Sequence, residues 1–373
     1  MLHRLRRLLP VLVPLLLGPV AAGATEPAFP PAVVRQLDQA VDAAIATQKL
    51  PGVAVGIWVP GQGVYRTARG AANLATGRPR HPGDPFRIAS VTKTFIATAI
   101  LQLVDQGKLR KSDPLAKWYP GFPNARLITV DDLLQMRSGI ADAADSAFLS
   151  WYYDHRLTTL GAEAMIRRSA RRAGEFKPPG GKVRYNNTNY IILGEIIAKV
   201  SGRSLPEQLR KTIFAPLGMS DTVYPEGPDL PGPLHGYSLD DTTHRFVDVT
   251  RVNPAPAGGA GAIISTLDDL HVYARAVCTG RLLKPATQAA RLRGKHLLGA
   301  PDFARYGEGI ELLGPLCGHN GTIFGFSTEM FYLPAKDAVI VINVNRLDED
   351  DQSQSSALLV ALTRILFPDR VPW

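Results

Sequence analysis

The residues with the clearest chemical potential are a serine and a lysine three positions apart, in Ser90-Val91-Thr92-Lys93. On a helix these two side chains lie on one face, so the amine of Lys93 can reach the hydroxyl of Ser90. A serine hydroxyl attacks a carbonyl when a base takes its proton, and a desolvated lysine can be that base. The spacing alone is a weak indicator, because such a short motif also arises by chance in a chain of 373 residues.

A second candidate is the tripeptide Tyr185-Asn186-Asn187. A phenol near a lysine ammonium shares its proton more easily, so Tyr185 could serve as an acid or base. The amide of Asn187 could hold a substrate peptide group. An asparagine-rich turn before a helix is also typical of a simple loop cap, and the tripeptide alone leaves both interpretations open.

The third candidate is Gly318-His319-Asn320-Gly321-Thr322, which precedes a β-like run. Its glycines would let the backbone approach a ligand closely, and His319 would add a titratable donor. The backbone N–H of Thr322 could stabilise an oxyanion together with that of Ser90, which we place at the first turn of a helix. A hairpin turn built on the Asn-Gly pair is the alternative interpretation.

The elements that position these candidates can be predicted from periodicity. Helical spacing covers residues 33–48, 90–105, 190–200, 266–276 and 355–367. Runs of β-type residues cover 53–59, 64–71, 323–332 and 338–344, and Pro- and Gly-rich residues 224–262 predict a long irregular segment. Strands near both ends predict one sheet built from the two termini, with the helical middle inserted and a cleft between them.

The first two dozen residues have the layout of a secretory signal peptide. Three arginines precede an apolar run over 8–20, and small residues follow at 22–24. A membrane anchor is the alternative, but this run is short and contains prolines. We therefore expect a leader over 1–24, a mature domain over 25–373 in the periplasm or secreted, and no stable membrane span after leader removal.

Composition narrows the function classes further. The formal charge of +9 falls to +6 without the leader arginines, and no Lys/Arg block is dense enough to predict nucleic-acid binding. The mild positive charge would suit an acidic cell-wall polymer. Cys278 and Cys317 are the two cysteines, without metal-site spacing, so they predict either one disulfide or two buried thiols. No metal or other cofactor is expected.

The order of the three motifs, Ser-x-x-Lys, Tyr-x-Asn and (Lys/His)-x-Gly, resembles the serine β-lactamase and penicillin-binding superfamily. The strings FRIASVTKTF, LLQMRSGIAD, VRYNNTNYIILGEII, GGAGAIISTLDDL and GHNGTIFGF resemble its class C β-lactamase and D,D-carboxypeptidase branch. The resemblance covers about residues 50–345. It implies an α/β (α+β) fold in which a five-stranded antiparallel sheet is flanked by the terminal helices. The sheet part would span about 25–85 and 262–373, and a mostly helical part about 86–261.

The resemblance also implies roles for individual residues. Ser90 would form the acyl-enzyme, while Lys93 and Tyr185 would share general-base duty, with the first proton acceptor left open. The N–H groups of Ser90 and Thr322 would form the oxyanion hole. The substrate would be held by Asn187, His319, Asn320 and Gly321.

Two departures from the family pattern bear on the substrate. His319 stands where lysine is more usual, and Asn320 stands where carboxypeptidases usually have a threonine that helps to bind the substrate carboxylate. Residues 306–318 lack the arginine that some members use for that carboxylate and contain Glu308 and Glu311 instead. Glu311 would repel a terminal carboxylate unless it points elsewhere.

The leading hypothesis is an exported serine hydrolase that acts on D-Ala-D-Ala-type peptides or β-lactams, with peptidoglycan as a candidate partner. An esterase, amidase or D-aminopeptidase on the same fold is the alternative. A non-catalytic penicillin-binding receptor is a third hypothesis, and the intact set of Ser90, Lys93 and Tyr185 argues against it.

Overall fold

The computed structural model describes residues 27–176, 180–240, 242–348 and 354–373. The predicted leader at 1–24 lies outside these described residues. Within them, no helix is both long and apolar enough to cross a bilayer.

The described residues form an antiparallel sheet with helices on both faces. The strands are β1 (Gly52–Val59), β2 (Gly63–Asn73), β3 (Arg78–Pro79), β4 (Phe86–Arg87), β5 (Tyr237–Leu239), β6 (Phe246–Asp248), β7 (Ile264–Ser265), β8 (Lys295–His296), β9 (Ala304–Tyr306), β10 (Glu311–Leu313), β11 (Leu316–Ile323), β12 (Phe326–Leu333) and β13 (Ala338–Val344). The α-helices are α1 (Pro31–Gln48), α2 (Thr92–Asp105), α3 (Val130–Leu134), α4 (Ser146–Asp154), α5 (Ala162–Ala170), α6 (Asn187–Ser201), α7 (Leu205–Leu209), α8 (Ala215–Leu217), α9 (Leu267–Thr279), α10 (Pro285–Arg291) and α11 (Gln354–Leu366).

The main sheet has nine strands in the order β3-β2-β1-β13-β12-β11-β10-β9-β8, so the expected number of five is wrong. The five long strands β2, β1, β13, β12 and β11 form its centre. The four additional strands are two or three residues long, which is too short to show an alternating pattern in the sequence. The mixed fold with a large antiparallel sheet is confirmed.

Strands β1 and β13, at the middle of the sheet, are almost entirely apolar because both faces of the sheet are covered there. Every residue of β1 and of β13 is buried. On one face, Val53, Val55 and Ile57 join a core with residues of α1 and α11. On the other face, Ala54 and Trp58 belong to the larger core that includes α2 and α6. The functional motifs lie on this second face.

Most of the predicted helices are present with small shifts at their ends. The predicted start at Thr266 is confirmed, because its side chain accepts a hydrogen bond from the N–H of Asp269 and caps α9. The single β run predicted over 323–332 is wrong, since a turn at Phe324-Gly325 divides it between β11 and β12. Gly325 has φ +79°, a conformation that favours glycine.

Residues 224–262 are largely irregular, as predicted, and contain the short hairpin of β5 and β6 and a 3-10 turn at Gly258–Ala260. This turn packs against α6 and α2, so its backbone lies beside the two helices that carry the Ser-x-x-Lys and Tyr-x-Asn motifs. Cys278 at the end of α9 and Cys317 on β11 are joined by a disulfide. The bond links α9 to the strand that carries residues 318–322.

Candidate active site

Ser90 lies in a 3-10 turn, Ala89–Val91, that leads directly into α2. Ala89 has φ +46°, a left-handed conformation that is unfavourable for a residue with a β-carbon. The strained turn places Ser90 at the first helical turn, with its side chain at the surface of a pocket. Strain of this kind is common where a reactive side chain must be held in a fixed direction.

Lys93 lies one turn after Ser90, and its Nζ atom is 2.8 Å from the Oγ atom of Ser90. The same Nζ donates hydrogen bonds to Asn187 Oδ1 at 2.9 Å and to the carbonyl oxygen of Ala260 at 2.8 Å. A neutral amine has two N–H bonds and one lone pair. If its two N–H bonds point to Asn187 and Ala260, the lone pair faces the hydroxyl of Ser90.

The environment of Lys93 favours this neutral form. Its side chain is fully buried, and burial lowers the pKa of Lys93 to about 7, while the Asp142 carboxylate partly opposes the decrease. The amine can therefore accept a proton near neutral pH, which an ordinary lysine cannot do.

Tyr185 completes the arrangement around Ser90. Its ring centroid is 4.8 Å from Lys93 Nζ, and its side chain is hydrogen-bonded to Ser90. Burial raises the pKa of Tyr185 well above 10. The phenol therefore keeps its proton at neutral pH, so it enters a reaction as a proton donor and not as a base.

Asp142 is a site residue that the motif analysis missed. Its Oδ2 atom accepts hydrogen bonds at 3.0 Å from both the backbone N–H and the side-chain amide of Asn187. This fixes the amide of Asn187 with its oxygen toward Lys93. Asp142 ends the string LLQMRSGIAD, so it could have been found, but no sequence rule links it to a residue 45 positions away.

We predict that Asp142→Asn lowers kcat/KM by about ten- to a hundredfold. The new side-chain amide can point its own N–H groups at the N–H donors of Asn187, so the hydrogen bonds that the carboxylate accepts from them are lost. Asn187 would then lose the orientation that directs its oxygen to Lys93. Steady-state hydrolysis of a nitrophenyl ester, with thermal melting as a check on folding, measures the effect. Unchanged kcat/KM in a folded variant would contradict this role of Asp142.

Gly321 brings β11 against the turn that carries Ser90. A β-carbon at this position would lie 2.3 Å from the carbonyl oxygen of Ile88 and 2.8 Å from the backbone nitrogen of Ser90. Gly321 therefore permits β11 to pack closely on the serine turn, while its predicted close approach to a ligand stays a prediction. Thr322 follows and lines the same pocket as Ser90, where the predicted oxyanion hole would lie.

His319 and Asn320 are placed differently from the expectation that they contact substrate. The side chain of His319 is fully buried and, like Asn320 and Gly321, is not among the described residues that line the pocket. The ring donates from Nδ1 to the carbonyl oxygen of Asn320, which leaves Nε2 to accept from the hydroxyl of Tyr306 at 3.3 Å. Burial lowers the pKa of His319 to about 3, so the ring is neutral. The His319 ring contacts the rings of Tyr185 and Tyr306, so it supports these two side chains from the interior of the protein.

The two glutamates flagged by the sequence do not present a charge to the pocket. Glu308 is paired with Lys111, with 2.5 Å between Oε1 and Nζ. Glu311 accepts a hydrogen bond from the N–H of Asn320, and burial raises the pKa of Glu311 to about 8. Glu311 is therefore mostly protonated at neutral pH, and the expected repulsion of a substrate carboxylate is removed.

We predict that Glu311→Gln makes stability less sensitive to pH between about 5 and 8. In this window folded Glu311 keeps a proton that the unfolded chain releases, so the wild-type free energy of unfolding falls as pH rises, by up to about 1.4 kcal/mol per pH unit. Glutamine does not titrate. Urea unfolding of both proteins at pH 5 and pH 8 measures the difference, with exposed Glu226→Gln as the control. Parallel curves for Glu311→Gln and wild type would refute the assignment.

The pocket above Ser90 has a volume of about 490 Å³. Among the described residues that line it, none is lysine or arginine, and the one carboxylate, Asp348, is paired with Arg346. Its wall is mainly apolar or aromatic and is formed by Phe148, Leu149, Tyr152, Tyr153, Ile191, Ile323 and Phe324. In the described part of the chain, no group of His, Cys, Asp and Glu side chains is arranged to hold a metal ion.

Known proteins are similar to this chain in sequence and fold. The chain is 28% identical to Penicillin-binding protein 4* of Bacillus subtilis over 321 residues, which cover 82% of this chain and 70% of that protein. It is 29% identical to a D-aminopeptidase of Cereibacter sphaeroides over 350 residues, 87% of this chain and 63% of that protein. The crystal structure of a D-stereospecific amidohydrolase from Streptomyces sp. matches with a TM-score of 0.78 at 29% identity, covering 88% of this chain and 97% of that one.

A family model described as Beta-lactamase matches residues 37–364, which is most of the chain. The match includes the Ser90 turn, Lys93, Tyr185 and the strand of residues 318–322. The chain thus belongs to the Beta-lactamase family and is a serine hydrolase of the β-lactamase and penicillin-binding type.

Proposed function

We propose that the chain hydrolyses amides or esters with a small, uncharged or aromatic acyl group, D-amino acid amides included, through an acyl-enzyme on Ser90. The observation that carries this proposal is the pocket beside Ser90, whose described lining is mainly apolar and aromatic and contains no lysine or arginine; its one carboxylate, Asp348, is paired with Arg346. A substrate that ends in a carboxylate would lose its hydration there without gaining a cationic partner. The D-aminopeptidase and the D-stereospecific amidohydrolase support the choice, since their names describe amide cleavage.

In the proposed reaction, Lys93 takes the first proton. Ser90 Oγ attacks the substrate carbonyl while its proton moves to Lys93 Nζ, and the carbonyl electrons form an oxyanion held by the N–H groups of Ser90 and Thr322. Tyr185 then gives its proton to the leaving nitrogen or oxygen as the bond to the carbonyl carbon breaks, and Lys93 returns a proton to Tyr185. Water releases the acyl group by the same steps. The opposite pKa shifts of the two side chains support this order.

A D,D-carboxypeptidase or β-lactam hydrolase, with peptidoglycan as partner, is the second candidate. Two observations support it: Penicillin-binding protein 4* is a relative over most of this chain, and Asn187, proposed to hold a substrate amide, is bonded to Lys93 and lines the pocket of Ser90. A neutral Glu311 would also not repel the terminal carboxylate of such a substrate, which removes one objection raised by the sequence. A cation for the terminal carboxylate is the missing element among the described lining residues.

Intact-mass spectrometry over time can test the proposal. The protein is mixed separately with a nitrophenyl ester, D-phenylalanine amide, a diacetyl-Lys-D-Ala-D-Ala peptide and benzylpenicillin, and both adduct and product are followed. Rapid turnover of the ester or the amide, with little cleavage of the tripeptide, is the expected result. Efficient release of D-alanine from the tripeptide would instead establish the second candidate. No adduct and no product with any of the four would refute both.

We also propose that the chain is exported, on the basis of the signal-peptide pattern in residues 1–24. Expression of the full chain in a bacterial host, followed by fractionation and N-terminal sequencing, tests this. The expected product is periplasmic or secreted and begins at Thr25. A product that retains Met1 and stays in the cytoplasm would contradict it.

A further inference from the structure

We propose that a second concave site, here called the outer groove, binds a neutral oligosaccharide. The outer groove has a volume of about 830 Å³ and is lined by residues that include Trp151, His155, Leu157, Asp229, Asp248 and Arg251. It shares no lining residue with the pocket above Ser90. The inference is independent of which substrate that pocket cleaves.

Trp151 provides the first argument for a saccharide. Its side chain is 39% exposed although it is one of the largest apolar groups in the chain. The indole is stacked on the imidazole of His155, with 4.5 Å between ring centroids. The imidazole is itself held by a hydrogen bond, since His155 Nδ1 lies 2.7 Å from the carbonyl oxygen of Trp151, and the stack therefore fixes the indole. An exposed and immobilised indole in a concave site can stack on the apolar face of a pyranose ring at little cost in side-chain entropy.

Asp248 provides the second argument. Its Oδ1 accepts from the backbone N–H of Thr250 at 2.9 Å and from the hydroxyl of Thr250, and its Oδ2 lies 2.6 Å from His235 Nδ1. The side-chain amide of Asn73 donates to His235 Nε2 at 2.9 Å, so the imidazole proton is on Nδ1 and points to Asp248. The carboxylate is thus held in one orientation yet remains 48% exposed, ready to accept hydrogen bonds from hydroxyl groups.

The net charge of the outer groove favours neutral polar ligands over anions. Three carboxylates (Asp154, Asp229 and Asp248) stand against two guanidinium groups (Arg156 and Arg251) in its lining. Arg251 is also paired with Asp229 at 2.7 Å. An anion such as phosphate or sulfate would therefore meet a net negative surface. The paired guanidinium and carboxylate groups instead offer hydrogen-bond donors and acceptors to the hydroxyl groups of a neutral ligand.

Helix α4 connects the outer groove with the catalytic pocket. Phe148, Tyr152 and Tyr153 on this helix line the catalytic pocket, while Trp151 and Asp154 line the outer groove. A saccharide in the outer groove therefore lies one helix away from the acyl site. A substrate that carries both a sugar and a cleavable amide or ester could occupy the two sites together and gain affinity from the linkage.

Isothermal titration of the full chain with cellotriose and with chitotriose tests the proposal. We expect binding of at least one trisaccharide at millimolar concentration or below, retained in Ser90→Ala. Trp151→Ala should weaken it about tenfold, and Asp248→Asn, which keeps the shape of the side chain, by a similar factor. Leu127→Ala, at a residue that is 64% exposed and outside both sites, is the matched control and should bind as the wild type does.

No detectable binding of either trisaccharide at concentrations up to about 20 mM would overturn the proposal, because a site with a millimolar Kd would be largely occupied at that concentration. So would equal affinities in wild type and Asp248→Asn, or displacement of the sugar by inorganic sulfate. Hydrolysis of a small nitrophenyl ester by the same preparations reports on the catalytic pocket alone. Absence of sugar binding by the wild type, with intact ester hydrolysis, therefore rejects the outer groove and leaves the proposed function standing.

Discussion

Replacing Ser90 with alanine should lower kcat/KM by about 10⁴-fold or more and abolish every covalent adduct, and Lys93→Met should lower kcat/KM nearly as much. The reason is that Ser90 Oγ is a nucleophile only when its proton can move, and Lys93 Nζ at 2.8 Å is the group that faces it. The two residues act as one unit. The double variant should therefore be no less active than Ser90→Ala alone.

The pH profile separates a catalytic Lys93 from a structural one. Because the pKa of Lys93 is lowered to about 7, the free amine is present above this pH, and wild-type kcat/KM should fall about tenfold per pH unit below it. Lys93→Met should lose this acidic limb. Thermal melting checks that the variant is folded. A folded Lys93→Met enzyme with wild-type activity, or one that retains the limb at pH 7, would exclude Lys93 as the base.

The local chemistry of the site could be predicted because it depends on short-range geometry. Residues three positions apart on a helix lie on one face, which brings Lys93 to Ser90, and the Tyr-x-Asn segment at the start of α6 follows from capping. The cap itself is Asn186, whose side chain accepts from the N–H of Thr188. Such rules need no knowledge of the rest of the chain.

The partners of these residues depend on the tertiary fold and were missed for that reason. Asp142, Ala260 and Tyr306 reach the site from three separate segments, and none has a spacing rule relative to Ser90. The burial of His319 is a further example. The motif was predicted to precede a β run, whereas His319 lies within β11, and whether its ring faces substrate or the interior depends on the strands and side chains packed around it.

Gly321→Ala should lower kcat/KM by about a hundredfold although the substitution adds a single methyl group. The new β-carbon would lie 2.3 Å from Ile88 O, 2.8 Å from Ser90 N and 3.1 Å from Val91 N. All three are backbone atoms, so no side-chain rotation can relieve the contact. Either β11 or the serine turn must move, which changes the distance between the N–H groups of Ser90 and Thr322 that would hold the oxyanion.

Most of this loss should be in kcat, because the misplaced oxyanion donors act in the transition state and the apolar pocket that binds the acyl group is unchanged. Gly121→Ala is the matched control, since a β-carbon there meets nothing within 4 Å. Urea unfolding of both variants shows how much of the loss comes from stability. Full activity in a folded Gly321→Ala protein would mean that the serine turn tolerates a displaced strand, and the oxyanion hole would then have to be formed by other donors.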